Sequence, residues 1–367
     1  MNALQQLEAC GQAPWLDYLI RSLIEKGGLQ EMIDRDGLKG ITSNPSIFQK
    51  AIGESNEYAA AIQAFRAGGA HTTTEIYEHL AISDIQSAAD VLKPVYDRTN
   101  GRDGYVSLEC SPLLANDTDA TIAEAIHLWT TVNRPNLMVK VPATSAGIPA
   151  VRQLIGRGFN INITLLFSIA TYEEVVEAYL SGLETLKATG ASLSRVASVA
   201  SFFVSRIDTA VEKQLETLSN KAAVEKLHGR VAIANARIAY AHYKALFSGP
   251  RWEALALAGA QTQRLLWAST SVKDTTLKDT LYVEALIGRD TVNTLPPATM
   301  DAFRAHGVIK ADAIEDNVEA ARSTLALLQD QGISLDDITA QLVRDGVQSF
   351  TEAFDKLFKS IADLPRT

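Results

Sequence analysis

A chain of 367 residues, 47% hydrophobic and 21% charged, is long enough for one large barrel or two ordinary domains and excludes wholesale disorder. A formal net charge of −9 excludes a broad basic surface for nucleic acid, while an acidic average still permits a local cationic pocket for a phosphate. Two cysteines, Cys10 and Cys110, without a CxxC pair fit a reducing compartment; Met1 to Gln12 has no basic stretch followed by an apolar core, and no apolar run approaches a membrane span, so a cytoplasmic location without a membrane partner is expected.

Short β-like runs alternate with helical stretches along the chain. The first two runs are Pro14–Asp17, which is short, and Lys39–Asn44. A long helix-rich interval from Pro45 to Gly104 follows, expected to carry an extra helix, and then the run Tyr105–Glu109. Thr121-Ile122-Ala123-Glu124 has the pattern of a capping box, opening a helix with Ile122, Ala125, Ile126 and Trp129 on one side. Leu137–Pro142 is apolar almost throughout and stopped by Pro142, as in a strand covered on both faces. Asn160–Leu166 is next, and Thr171-Tyr172-Glu173-Glu174 opens another helix. Arg195–Val204, a second long helix-rich interval from Ile207 to Gln263, Arg264–Ser269 and Thr291–Leu295 complete the series.

Alternation of strands and helices predicts a parallel α/β architecture, and eight strands favour a closed (β/α)₈ TIM barrel with additional helices. No linker, repeat or low-complexity tract divides the chain. One domain is expected over 1–367, with the barrel in 1–305 and C-terminal helices packed on it in 306–367. The last helix carries Val347, Phe350, Phe354, Leu357, Phe358 and Ile361 at helical spacing, fit to pack across the barrel exterior or mouth, or in a dimer contact. A monomer and a homodimer both accord with this pattern.

Several strands turn polar on one face towards the C-terminal end, where barrels of this kind carry their active sites. Asn160, Asn162 and Thr164 share one side of their strand, as do Ser107 and Glu109, Thr42 and Asn44, Ser201 and Phe203, and Trp267 and Ser269. Interior polar groups that water cannot reach must meet each other or a ligand. Asp17, Asn44, Glu109, Lys140, Asn162, Thr164, Ser201 and Ser269 all fall near such ends.

Lys140 stands out among them, because low dielectric disfavours a charged amine and a neutral amine can attack a carbonyl. The six histidines cluster at no ligand spacing, so no metal is expected. An amine with carboxylates, and no Cys–His pair, suits Schiff-base chemistry. Lys140 would attack a ketone, one carboxylate would move protons through a water, and a second would take the proton of the hydroxyl that becomes an aldehyde. Arg206 and Lys273 are placed to meet a substrate phosphate.

These segments resemble the transaldolases. The likeness is carried by Gly40-Ile41-Thr42-Ser43-Asn44-Pro45-Ser46, Val106-Ser107-Leu108-Glu109, Met138-Val139-Lys140-Val141-Pro142-Ala143-Thr144, Asn160 through Ser168, and Ser201-Phe202-Phe203-Val204-Ser205-Arg206. It runs from about Trp15 to Met300, and the tail with Arg264–Pro297 looks like the longer bacterial branch of the family. The resemblance implies a barrel without a cofactor, in the non-oxidative pentose phosphate pathway. Such enzymes move a dihydroxyacetone unit from fructose 6-phosphate or sedoheptulose 7-phosphate to erythrose 4-phosphate or glyceraldehyde 3-phosphate.

By the same resemblance Lys140 matches the Schiff-base lysine, and Glu109 the acid/base carboxylate that holds the catalytic water with Thr164. Asp17 matches the carboxylate that handles the C4 hydroxyl proton, through the short motif Trp15-Leu16-Asp17. Asn44 and Asn162, with Ser201 nearby, match residues that bind the dihydroxyacetone hydroxyls, and Arg206 a phosphate ligand. The better-known branch has an arginine shortly after the seventh strand, where this chain offers Ser269, Thr270, Ser271 and Lys273. Lys273 is taken for that role.

A related barrel, fructose 6-phosphate aldolase, typically has glutamine for the acid/base glutamate and a tyrosine where this chain has Phe203. Glu109 and Phe203 thus favour transfer over release. A catalytically silent sugar-phosphate-binding barrel would be marked by loss of the lysine or a carboxylate, and neither is lost. A pyridoxal phosphate enzyme would show a glycine-rich phosphate cup, which the chain lacks.

Overall fold

The structure, a computed structural model, describes residues 1–363, and positions 364–367 of the expected C-terminal helical stretch lie outside the described residues. Eight parallel strands close into a barrel in chain order: β1 Gln12–Asp17, β2 Gly40–Thr42, β3 Tyr105–Glu109, β4 Leu137–Pro142, β5 Ile161–Leu166, β6 Ser198–Phe203, β7 Arg264–Ala268 and β8 Thr291–Leu295. Every strand pairs with its neighbours in sequence, and β8 returns to β1 with Trp15 opposite Thr294. β4, β5 and β6 are buried along their whole length, as strands covered on both faces must be. The eight expected runs all become strands, with ends that differ by up to three residues.

The inner face starts from a sealed floor. Trp15 lies against Tyr105, with ring centroids 6.4 Å apart, and its Nε1 donates to Asp103 at 3.4 Å. Arg264 pairs with the same Asp103 carboxylate at 2.8 Å, so the charge at the floor is matched. Gly40 makes room for the indole: a Cβ there would stand 2.5 Å from the Trp15 ring. Asn160 works at this end as well, just before β5. It donates to the carbonyls of Pro135 and Leu137 and accepts from the Ala197 amide, so it staples the approaches to three strands.

One expected face is corrected. Trp267 points outward, edge-on to Phe202 at 6.1 Å, and Phe202 in turn meets Tyr172 of the surrounding helix Ile169–Ala188. Leu266 and Ala268 take the inner positions of β7, opposite Ser201 and Phe203. Ser269 still reaches the mouth because its backbone turns to φ +55° just past the strand, which breaks the alternation on which the sequence reading relied.

Two helix starts differ as well. The helix Thr118–Val132 is capped by Asp117, whose side chain accepts from the Ala120 amide, so Thr121 lies inside it. The helix Ile169–Ala188 is capped by Ser168, which accepts from the Thr171 amide. In both cases an earlier cap residue offers the same bond to the first turn and lengthens the helix. The long intervals each carry more than one extra helix: Pro45–Phe48, a π-turn Gln49–Gly53, Ala59–Ala67 and Thr73–Arg98 after β2, and Ser205–Leu215, Lys221–Leu227, Val231–Leu246 and Pro250–Ala256 after β6.

The helix Leu335–Asp363 crosses the mouth of the barrel, touching β5, the helix after β6, and the π-turn after β2. Of the expected face, Phe350, Phe354, Leu357 and Ile361 are buried there and Val347 and Phe358 half-buried, and Gly346 joins them. One continuous buried cluster runs from Leu4 to Ile361.

Gly40→Ala drives a methyl group into the Trp15 ring and should destabilise the barrel by roughly 1–3 kcal/mol in chemical denaturation, as overpacking does. Trp15→Phe in the same chain should recover part of that loss, because the smaller ring vacates the space.

Candidate active site

Glu109 and Lys140 are neighbours because β3 and β4 pair in a register that sets them side by side. Glu109 Oε2 stands 3.0 Å from Lys140 Nζ, with both side chains almost completely buried. The ammonium also donates to the Ser43 carbonyl at 2.9 Å. Burial drives the Glu109 carboxyl above its ordinary range, more strongly than Lys140 and Arg206 draw it down.

Asp17 ends β1 at the same level, where register sets it beside Thr42 of β2. It accepts from the Thr42 hydroxyl at 2.7 Å, and that hydroxyl lies 2.7 Å from Thr294 Oγ1. Its carboxyl is also raised by burial, against the pull of Thr42, Lys140 and Arg206. Two carboxylates and two cations thus share the upper interior, where low dielectric makes each charge depend on the others.

A cavity of about 310 Å³ opens above them. Asp17, Asn44, Lys140, Thr164, Ser201, Phe203, Arg206, Ser269 and Lys273 line it, so nine of the expected site residues come from the ends of six strands to one space. The Asn44 carbonyl oxygen caps the helix Pro45–Phe48 by accepting from the Ile47 amide at 3.0 Å. That bond fixes the side chain and leaves its amide N–H groups for a ligand.

Glu109 and Asn162 do not line this cavity; Glu109 lines a separate one of about 230 Å³ with Tyr77, Glu124 and Phe354. Asn162 donates to Ser107 Oγ at 3.0 Å and accepts from Ser201 Oγ at 2.7 Å, a buried chain that holds the Ser201 hydroxyl in place. Thr164 Oγ1 is buried with no hydrogen-bond partner among the described residues, an uncommon condition for a polar atom in an interior, while Glu109 Oε2 is buried against the Lys140 ammonium.

Arg206 follows β6 as the second residue of the helix Ser205–Leu215. Its guanidinium lies over the Phe203 ring at 5.0 Å and the Phe350 ring at 6.0 Å. Among the described residues it makes no hydrogen bond or ion pair, so its planar fork of donors is free for an anion. Burial pulls its basicity below the ordinary arginine value.

Lys273 stands on the rim, exposed and unpaired among the described residues. Lys50 does the same from the π-turn after β2. The inner charges balance, so these rim lysines make the entrance cationic on a chain that is acidic overall.

Lys50, Ser271, Pro296 and Phe350 line the cavity without having been singled out as site residues. Lys50 and Phe350 lie outside the strands, in helical segments whose pattern reads as surface or packing. No periodicity in the chain signals that they meet the mouth.

A buried amine with flanking carboxylates and an unpaired arginine, at the C-terminal end of a (β/α)₈ barrel, defines a Schiff-base aldolase class of site. The family model described as Transaldolase/Fructose-6-phosphate aldolase matches residues 14–361. The chain is 46% identical to the transaldolase of Thermobifida fusca over 361 residues, 98% of each chain. It is 46% identical to transaldolase 1 of Streptomyces coelicolor, covering 98% of this chain and 94% of that protein, and 44% identical to the transaldolase of Trichodesmium erythraeum, covering 99% and 97%. The chain belongs to the transaldolase/fructose-6-phosphate aldolase family.

The raised carboxyl of Asp17 has a consequence for stability. Folding raises its affinity for a proton, so its contribution is full below its ordinary value of 3.8 and is lost as pH rises through the folded value. The substitution Asp17→Asn keeps an oxygen for Thr42 and removes the charge. The variant should unfold at a higher temperature than the native chain at pH 7, with the difference shrinking towards pH 4, as thermal melts across that range would read.

Proposed function

We propose that this chain transfers a dihydroxyacetone unit from fructose 6-phosphate or sedoheptulose 7-phosphate to erythrose 4-phosphate or glyceraldehyde 3-phosphate, through a Schiff base on Lys140. The observation that carries the proposal is the buried Lys140–Glu109 pair, 3.0 Å apart at the edge of a cavity that Asp17 and Arg206 also face.

Lys140 gives up a proton and its nitrogen attacks C2 of the ketose, forming a carbinolamine. Glu109 moves protons through a water held with Thr164, and a water leaves to give the iminium. The buried Thr164 hydroxyl, unpartnered among the described residues, and the Glu109 carboxylate paired with Lys140 support this role. Asp17 takes the C4 hydroxyl proton, the C3–C4 bond breaks, and its electron pair passes into the iminium to leave an enamine on Lys140. The aldose phosphate departs.

The acceptor aldehyde then enters and the enamine carbon attacks it, while Asp17 returns the proton to the new hydroxyl. Water adds to the restored iminium and releases the product ketose. Asn44 and Ser201, with Asn162 behind Ser201, hold the dihydroxyacetone hydroxyls. Arg206, with Ser269 and Lys273, binds the phosphate that donor and acceptor share. Phe203 closes the wall beneath the guanidinium.

Likeness over almost the full length of curated transaldolases supports transfer over simple release. Glu109 and Phe203, where the aldolases typically have glutamine and tyrosine, support it too. Among the described residues no helix is long and apolar enough to cross a membrane. We place the enzyme in the cytoplasm, in the non-oxidative pentose phosphate pathway.

Borohydride added with fructose 6-phosphate should leave a reduced three-carbon adduct on the Lys140 peptide, seen by mass mapping. Lys140→Ala should abolish both adduct and transfer while keeping the fold. Strong cleavage of fructose 6-phosphate without an acceptor would replace transfer by release.

Glu109→Gln should slow the proton steps by a factor on the order of 10²–10⁴, and a loss under about tenfold would move those steps to another group. The raised Glu109 carboxyl should set the acid limb of kcat/KM above the ordinary value of 4.5, since a protonated Glu109 cannot accept the Lys140 proton.

A further inference from the structure

We infer that Phe350, on the C-terminal helix, is a positioning residue that sets the phosphate specificity of the site by clamping Arg206. The inference rests on the reading of Arg206 as the phosphate ligand and extends it to a side chain remote in sequence from the barrel strands.

Three observations carry it. Arg206 has no hydrogen-bonded or ionic partner among the described residues, so aromatic rings, not acceptors, fix its guanidinium. One ring, Phe203, belongs to β6 and is held by the barrel. The other, Phe350, is buried, lines the same cavity and lies 6.0 Å from the guanidinium carbon. A guanidinium held against two rings keeps its donors available to the cavity that all three residues line, where a phosphate can meet two of them.

The helix is itself held at this depth. One turn before Phe350, Gly346 passes so close to β5 that a Cβ would stand 2.8 Å from Leu165 Cδ2. Further along, Phe354 packs edge-on against Tyr77 at 5.1 Å. Phe350 is therefore fixed by contacts on both sides, and its ring reaches Arg206 without adjustment.

The clamp predicts a loss confined to phosphorylated ligands. Transfer is measured with erythrose 4-phosphate and with unphosphorylated erythrose as acceptor, and inorganic phosphate is titrated as a competitive inhibitor. Phe350→Leu should raise KM for erythrose 4-phosphate and the inhibition constant for phosphate by roughly five- to tenfold. With the ketose phosphate donor saturating, KM for erythrose and kcat should stay within about twofold of native. Phe350→Tyr, which keeps the ring, should restore native values, and Phe350→Met serves in place of the leucine variant if that one fails to fold.

Equal rises in KM for both acceptors would overturn the inference, since the helix would then act as a general cover. So would unchanged phosphate inhibition in Phe350→Leu when Arg206→Gln has lost it. Unchanged inhibition in Arg206→Gln itself would overturn the phosphate reading of Arg206, and the clamp with it, while leaving Lys140 adduct formation intact.

Discussion

The rest of the site depends on one constraint: an ion pair buried inside a closed barrel. Removing a lysine and a glutamate from water costs several kcal/mol per ion, and their attraction offsets this only when geometry is good and other polar groups complete the shell. Register between β3 and β4 supplies the geometry by setting Glu109 beside Lys140. The Ser43 carbonyl takes a second ammonium proton, and Asp17 and Arg206 bring the local charge to balance. A barrel open on any side would admit water and weaken each of these interactions.

Layering beneath the pair follows from the same demand. The Ser107–Asn162–Ser201 chain satisfies the polar groups directly below the cavity. Under it, Trp15, Tyr105 and the Arg264–Asp103 pair close the floor. The polar groups of the lower end are thus tied to one another, while those of the upper end face the cavity. Asp17, Glu109, Lys140 and Thr164 stand near the tops of their strands, above this closed floor. Thr164 holds its unsatisfied hydroxyl oxygen at that upper end, where a ligand can answer it.

Strand identity was legible because short β-like runs alternate with longer helical stretches, and Tyr105–Glu109, Leu137–Pro142 and Thr291–Leu295 have the expected ends. The convergence of Asp17, Asn44, Lys140, Thr164 and Ser201 was legible because period 2 marks one face and barrel topology brings the strand tops together. Trp267 misled because alternation fails once the backbone leaves the strand at Ser269. Lys50 and Phe350 were illegible as site residues for a different reason. Their place at the mouth arises from helix docking between segments far apart in the chain, which no local pattern encodes. The last helix itself was visible from its apolar spacing, and its seat across the mouth was among the readings that spacing allowed.

Backbone strain joins these two levels. Leu165 and Ser269 both hold left-handed conformations, at φ +59° and +55°, and each costs about 1–3 kcal/mol for a residue with a side chain. At Leu165 the turn accompanies a register shift between β5 and β6 immediately after Thr164, and the side chain packs under Gly346 of the last helix. At Ser269 the carbonyl accepts from the Ser205 amide at 3.0 Å, and the two hydroxyls lie 2.9 Å apart, which ties the end of β7 to the helix that begins with Ser205 and Arg206. Both strained points thus connect the barrel to the elements of the rim. The inner charges are fixed by strand register and perform the bond-making steps. The rim is fixed by these loop-to-helix contacts and meets the far end of the substrate. Such a division lets the choice among sugar phosphates change through the rim while the lysine and its carboxylates remain where register holds them.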